Sequence, residues 1–152
     1  MQLDQKRLSA AFKWLRGTPF HPQWLAHRIE SESFGAIGVL AHGKALDIGC
    51  SDQRVRSYLV GCNEYTGLDY YSTAVNWYRT KPAVYGDAHS LPFDVAQFDT
   101  VMLLDVLEHL AQPTVCLKES FRVLRPGGRL FLKVPFIYPV HDAPRDFTRW
   151  TE

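Results

Sequence analysis

Ala45-Leu46-Asp47-Ile48-Gly49-Cys50-Ser51-Asp52 is an apolar run that ends in an acid and a glycine turn, and its reading decides the fold. An apolar strand that opens into a tight loop and a helix is how α/β folds build nucleotide sites, because the helix start presents free N–H groups and a bare backbone. Outward from this stretch, strand and helix signals alternate. Residues 44–48, 64–68 (ending at Asp69), 83–85, 98–104 and 129–134 read as strands; residues 54–60 and 73–79 read as helices. A further helix starts with Pro113 near N1, carries Leu117, Phe121 and Leu124 on one face and stops at Arg125-Pro126-Gly127-Gly128. Runs with almost no polar interruption, such as 98–104, mean strands covered on both faces. The order therefore predicts an α/β, Rossmann-like, doubly wound and mainly parallel sheet of about five strands. Before it, Leu8, Ala11, Phe12 and Leu15 mark one helix, ended by Gly17-Thr18-Pro19, and residues 22–40 a second with Trp24, Leu25, Ile29, Phe34 and Ile37. Residues 1–40 then form an N-terminal helical cap and residues 41–152 the core.

Composition narrows the class. A chain of 152 residues fits one domain with a single core. With 17 Lys+Arg against 16 Asp+Glu, the formal charge is +1, so no global field draws a polyanion or a membrane surface, and nucleic acid is not an expected partner. Cys50, Cys62 and Cys116 show neither metal-ligand spacing nor the density of a disulfide scaffold, so no metal is expected and a reducing, cytoplasmic setting is. The first residues lack the order of a signal peptide, and no apolar run approaches the roughly 20 residues of a membrane span.

Ligands of open α/β sheets bind outside the carboxyl ends of the strands. Those ends carry Gly49-Cys50-Ser51-Asp52, then Asp69-Tyr70, then Asp87-Ala88-His89, then Asp105-Val106, so four strands would bring small or acidic residues to one edge. Asp69, about 20 residues past the glycine turn, is placed to accept both hydroxyls of a ribose; the competing reading is a solvated acid in a turn.

On these stretches the sequence resembles the class I S-adenosylmethionine-dependent methyltransferases, in the type 11-like methyltransferase-domain group. The first motif is Leu46-Asp47-Ile48-Gly49-Cys50 and the second Tyr65-Thr66-Gly67-Leu68-Asp69. The third is Gly86-Asp87-Ala88-His89-Ser90-Leu91-Pro92-Phe93, the fourth runs from Phe98-Asp99-Thr100-Val101 through Asp105-Val106-Leu107-Glu108-His109-Leu110, and the fifth is Val123-Leu124-Arg125-Pro126-Gly127-Gly128-Arg129-Leu130. Five motifs in order and spacing, from about Lys44 to Pro135, are specific where one is not. The resemblance implies S-adenosylmethionine as cofactor and methyl transfer to a small-molecule or glycan-like acceptor. It implies that Gly49-Cys50-Ser51 pass under the methionine part, with Asp47 fixing the loop or reaching the amino group through water. It places Asp69 on the ribose hydroxyls, Tyr70 beside the adenine, Asp87 on the adenine amino group, the Ala88 and His89 backbone at the ring edge, and Asp105 near the methionine end. The chain departs from the family at Ser51 and Gln53, where glycines are usual.

Other residues keep two readings. Cys50 reads as a small turn residue rather than a nucleophile, for want of a basic partner. Glu108 and His109, adjacent on a helix, point in different directions, which favours a structural role over a catalytic pair. The stretch from Val134 to Thr151 combines aromatics, prolines, His141 and two Arg-Asp neighbours, and reads either as a rigid connection or as the wall of an acceptor pocket. In the second case His141 is the candidate base, with Asp142 or Asp146 beside it. The family's fifth strand is followed by a helix and two more strands, which the sequence up to Glu152 does not supply. Residues 130–134 would then be an edge strand, apolar on both sides, of the kind proteins cover. An excised fragment, a tail folded back, and pairing with a second copy or another protein all account for it. Two rival functions stand beside the methyltransferase: a nicotinamide-dependent oxidoreductase, which has only the first glycine of its G-x-G-x-x-G fingerprint here, and a non-catalytic binding module.

Overall fold

A computed structural model describes residues 24–135 and 147–148. The chain divides into two compact units, residues 1–36 and residues 37–152. The predicted helix around Leu8–Leu15 and the candidate base His141 lie outside the described residues. Helix α1, Trp24–Leu40, shows on its first turns an Arg28–Glu32 ion pair of 2.9 Å, with the Arg28 guanidinium 5.4 Å from the Trp24 ring.

The sheet is the one the alternating pattern predicts. Strands β1 (Gly43–Ile48), β2 (Cys62–Asp69), β3 (Val84–Tyr85), β4 (Phe98–Leu104) and β5 (Leu124–Lys133) lie in the order β3-β2-β1-β4-β5, every neighbouring pair parallel. Strand order reverses at β1, which pairs through Ile48 with Leu68 of β2 and with Leu103 of β4. Because all five run the same way, the carboxyl ends that carry Gly49, Asp69, Asp87 and Asp105 share one edge, at the switch point where such sheets bind ligands. Leu46, Ile48, Leu68, Phe98, Val101 and Leu103 are almost fully buried and form one core with Cys116 and Val123 of helix α3 (Pro113–Val123). Burying a side chain of that size contributes about 1.5–3 kcal/mol, so the sheet centre dominates the stability of this unit.

Several elements differ from the pattern reading, each for a local reason. The helix expected over 54–60 is a single 3-10 turn, Arg54–Tyr58: it starts from Gln53 at φ 59° and must end before Gly61, whose carbonyl accepts the Gly43 N–H. The helix expected over 73–79 is a short α2 (Tyr71–Thr73) that widens into a π turn, Ala74–Tyr78, closed by the Thr80 N–H on the Ala74 carbonyl and by Arg79 at φ 52°. On α3, Phe121 does not join Leu117 on the buried face but stands 64% exposed. Cys116, Ser120 and Val123 take that face, and Ser120 can be buried there because its hydroxyl donates to the Cys116 carbonyl. Leu124, expected as the last helical residue, begins β5. Strand β5 pairs with β4 at Leu124 and again from Arg129, so residues 125–128 bulge out: Pro126 has no N–H to give and Gly127 sits at φ 80°. The Arg125 side chain returns from the bulge to the Ala96 carbonyl and to Asp99 at 2.7 Å.

Candidate functional site

The turn after β1 is tied to the end of β2. The N–H groups of Gly49 and Cys50 both reach the Leu68 carbonyl, and the Ser51 N–H donates to Asp69 Oδ2 at 2.9 Å. Asp69 Oδ1 accepts from the Tyr70 N–H at 2.7 Å. Asp69 is thus a buried carboxylate with one main-chain donor on each oxygen and a second lone pair left on each. Burial raises its pKa, opposed by the two N–H groups. Gly49 sits at φ 70°, and a Cβ there would lie 2.5 Å from Val106 Cγ2, so the end of β4 packs onto the bare backbone of the turn.

Asp47, one residue before the end of β1, is buried and accepts from the Tyr65 hydroxyl at 2.7 Å. Burial, reinforced by the charges of Asp69 and Asp52 and opposed by the Tyr65 hydrogen bond, pushes its pKa up to about 7. Cys50 is buried as well, and burial with the Asp47 and Asp69 charges pushes its thiol up to about 12. A thiol that stays protonated at neutral pH is not a nucleophile, which matches its reading as a turn residue.

Ser51 and Gln53, the two positions where glycines are usual, both adopt left-handed backbone, φ 43° and 59°. The conformation that glycine serves is therefore kept without glycine, at a cost of order 1 kcal/mol for each residue. Two side-chain bonds hold the strained turn from the segment before β3. The Thr80 hydroxyl donates to the Ser51 carbonyl at 2.8 Å, and the Gln53 amide donates to the Lys81 carbonyl at 3.3 Å. Neither Thr80 nor Lys81 stands out in the sequence.

The loop after β3 places Asp87 with a half-exposed side chain and His89 beside it; Ala88 packs against the core between them. Asp87 Oδ1 accepts from the His89 N–H at 2.8 Å and lies 2.7 Å from His89 Nδ1. The His89 N–H, more than the ring, holds the Asp87 carboxyl below its ordinary range. Helix α3 anchors the same loop: Arg122 donates to the Phe93 and Leu91 carbonyls at 2.8 and 3.0 Å, and Glu119 accepts from the Leu91 N–H at 2.9 Å while pairing with Arg122 at 2.7 Å. Tyr70 is 55% exposed next to Asp69, and Tyr71 meets Tyr85 edge-on at 5.3 Å.

At the end of β4, Asp105 takes φ 56°, its N–H reaches the Lys133 carbonyl at 2.9 Å, and its carboxylate pairs with Lys133 Nζ at 2.6 Å. Lys133, the last residue of β5, belongs to this corner and went unread in the sequence. Glu108 and His109 lie on a 3-10 turn, Leu107–His109, rather than a helix; Glu108 is fully buried, His109 Nε2 is 3.9 Å from it, and its carbonyl accepts the Phe147 N–H at 2.8 Å. The structure ties Gly49, Cys50, Ser51, Asp69 and Tyr70 into one bonded cluster through Leu68, holds Asp47 apart on Tyr65, and sets Asp87, Ala88, His89 and Asp105 on the neighbouring strand ends.

The sequence and the fold have known counterparts. A family model described as a methyltransferase domain matches residues 46–132. The chain is 32% identical over 124 residues to a 27-O-demethylrifamycin SV methyltransferase of Amycolatopsis mediterranei, covering 71% of this chain and 46% of that one. It is 36% identical over 114 residues to a fatty-acid O-methyltransferase of Mycolicibacterium smegmatis, covering 66% and 39%. The chain spans about half the length of the curated relatives it matches. Among solved structures, the fold is similar to that in a complex of the Haloferax volcanii Trm112 methyltransferase activator with its methyltransferase, with a TM-score of 0.61 and 23% identity over 82% of this chain and 66% of that one. It is also similar to a SAM-dependent methyltransferase of Thermotoga maritima, with a TM-score of 0.56 and 24% identity over 80% and 58%.

Proposed function

We propose, starting from the fact that this chain belongs to the methyltransferase-domain family, that it binds S-adenosylmethionine along the carboxyl edge of its sheet and serves methyl transfer to a small-molecule or glycan-like acceptor. The observation that carries the reading is Asp69: a buried carboxylate, fixed by main-chain N–H groups on both oxygens, at the end of the strand beside the turn. Its remaining lone pairs suit a ribose diol. The rest of the donor set fits the other parts of the same molecule. Asp87 offers an acceptor to the adenine amino group, with Tyr70, Ala88 and the His89 backbone around the ring, and Asp47, Gly49, Cys50, Ser51 and Asp105 take the methionine end. When bound, S-adenosylmethionine supplies an already activated methyl group, so what is asked of the chain is alignment and exclusion of water. The turn at Gly49 gives the close approach, and the anchors from Thr80, Gln53 and Arg122 hold the two binding loops in place before the ligand arrives.

His141, with Asp142 or Asp146, is the proposed base, and residues 1–40 the proposed cap on a core of residues 41–152. A cytoplasmic setting and self-association along β5, where Leu132 is 49% exposed, belong to the same proposal. No helix among the described residues is long and apolar enough to cross a membrane. The test is methyl transfer from labelled S-adenosylmethionine to a panel of hydroxylated small molecules and glycans. Label in an acceptor supports the reading, and its loss in His141→Ala supports the base. Tight cofactor binding with no transfer across the panel favours a non-catalytic binding module instead.

A further inference from the structure

The loop after β3 holds its carboxylate from one side only. His89 gives Asp87 Oδ1 two contacts, the main-chain N–H at 2.8 Å and ring Nδ1 at 2.7 Å. A ring nitrogen facing an ionised carboxylate carries the proton, which assigns the Nδ1–H tautomer from the hydrogen bond itself. The other ring nitrogen, Nε2, is buried and has no hydrogen-bond partner among the described residues, so the imidazole is committed to Asp87 alone. Asp87 Oδ2 takes no hydrogen bond among the described residues, and the side chain is 55% exposed at the edge where Asp69 also lies. The loop cannot drift to relax this arrangement, because Arg122 and Glu119 clamp its far end at Leu91 and Phe93. An ionised carboxylate only accepts hydrogen bonds, so one with a fixed direction reads a donor at a fixed place.

We propose that His89 is a positioning residue: by occupying Oδ1 it fixes the Asp87 carboxylate so that Oδ2 accepts from the exocyclic amino group of adenine, making the site select a 6-amino over a 6-oxo purine. The inference rests on the cofactor reading above and adds to it a residue whose side chain sets base selectivity. A 6-oxo purine would set its oxygen against Oδ2, acceptor against acceptor. A carboxylate free to turn escapes that conflict by reaching the N1–H of the oxo base instead, and selectivity falls. Fixing the rotamer is therefore what makes the reading sharp, in the way that a site built to meet a donor rejects an analogue lacking it.

The experiment is calorimetric titration of the full chain, wild type and variants, with S-adenosylhomocysteine and with S-inosylhomocysteine. Wild type is expected to prefer the adenosyl ligand by about a hundredfold, the scale of one unmatched polar group in a partly desolvated site. In His89→Ala, and in His89→Leu as a second removal, the preference falls to about tenfold, as adenosyl affinity is lost and inosyl affinity gained. His89→Asn, whose amide N–H can take the place of Nδ1–H, restores most of it. A merely structural role would weaken both ligands together and leave their ratio unchanged. An unchanged ratio in the removal variants, or a wild type that binds both ligands equally, overturns the inference while the cofactor reading stands. A wild type that binds neither overturns both.

Discussion

At the ends of β2 and β3 the acids are held by main-chain N–H groups: Asp69 by Ser51 and Tyr70, Asp87 by His89. At the end of β4, Asp105 is held instead by the side chain of Lys133 across the sheet, on a left-handed backbone. The two halves of the edge thus use different physics. A main-chain donor on each oxygen, as at Asp69, is set once the loop has its conformation and survives changes of neighbouring side chains, and Asp87 adds the His89 ring to its single main-chain donor, whereas an ion pair between a partly exposed Lys and Asp is screened and typically worth under about 1 kcal/mol. The first half is set largely by the backbone of its loops; the second is a side-chain arrangement that substitution can remake.

The sharpest way to break that contrast is to disturb the main-chain anchor. Asp69→Asn keeps the volume but turns one acceptor into a donor facing an N–H, and S-adenosylhomocysteine affinity is expected to drop about a hundredfold, as for the loss of charge-assisted bonds with a polar group left unmet. Calorimetry reads it; an unchanged affinity would move the ribose contact elsewhere. Next comes the backbone under the ligand. Gly49→Ala meets both the left-handed penalty and Val106, for a destabilisation of about 3 kcal/mol in thermal melting. The double change with Val106→Ala should recover the steric part of the Gly49→Ala loss and leave about 1 kcal/mol of it, after allowance for what Val106→Ala costs alone.

Asp47 gives a pH signature peculiar to the first half. Its folded pKa of about 7 lies above the ordinary carboxylate value of 3.8. The folded state therefore binds the proton more tightly, and this group's contribution is fully present below about pH 4 and lost as pH rises through 7. Asp47→Asn, which keeps an acceptor for the Tyr65 hydroxyl, should raise the melting temperature by several degrees at pH 8, with the gain shrinking toward pH 4. A gain independent of pH would place the cause in packing. The smallest effect belongs to the other half. Lys133→Met should change stability by less than about 1 kcal/mol and leave S-adenosylhomocysteine affinity within about twofold; a tenfold loss would show that the β4–β5 corner is as rigid a part of the receptor as Asp69.

The same contrast decides what could be read from the sequence. Sheet order and the acids at strand ends were legible because they follow from strand, turn and helix signals in register, and a carboxylate after an apolar run announces itself. The anchors were not, because each depends on register between distant segments. Gly67, opposite Asp47 in the β1–β2 pairing, leaves room for Cys50 Sγ and the Tyr65 ring, which a Cβ there would meet at 2.9 and 3.4 Å; that glycine was the one available signal. Arg122 and Lys133 look like ordinary surface cations until α3 and β5 are placed. Phe121 reads as part of the apolar helix face because its hydrophobicity outweighs that of Ser120 in any pattern, although Ser120 satisfies its hydroxyl within the helix and is buried while Phe121 stands exposed. At Ser51 and Gln53 the sequence shows only that the usual glycines are replaced, whereas the backbone keeps the glycine conformation with help from Thr80 and Lys81.

One titration bears on the central claim most directly: the full chain against S-adenosylhomocysteine and, separately, against NAD. A single site per chain for S-adenosylhomocysteine, weakened about a hundredfold by Asp69→Asn, with no heat from NAD, is the predicted result. Binding of NAD, or no binding of S-adenosylhomocysteine by well-folded protein, would contradict it.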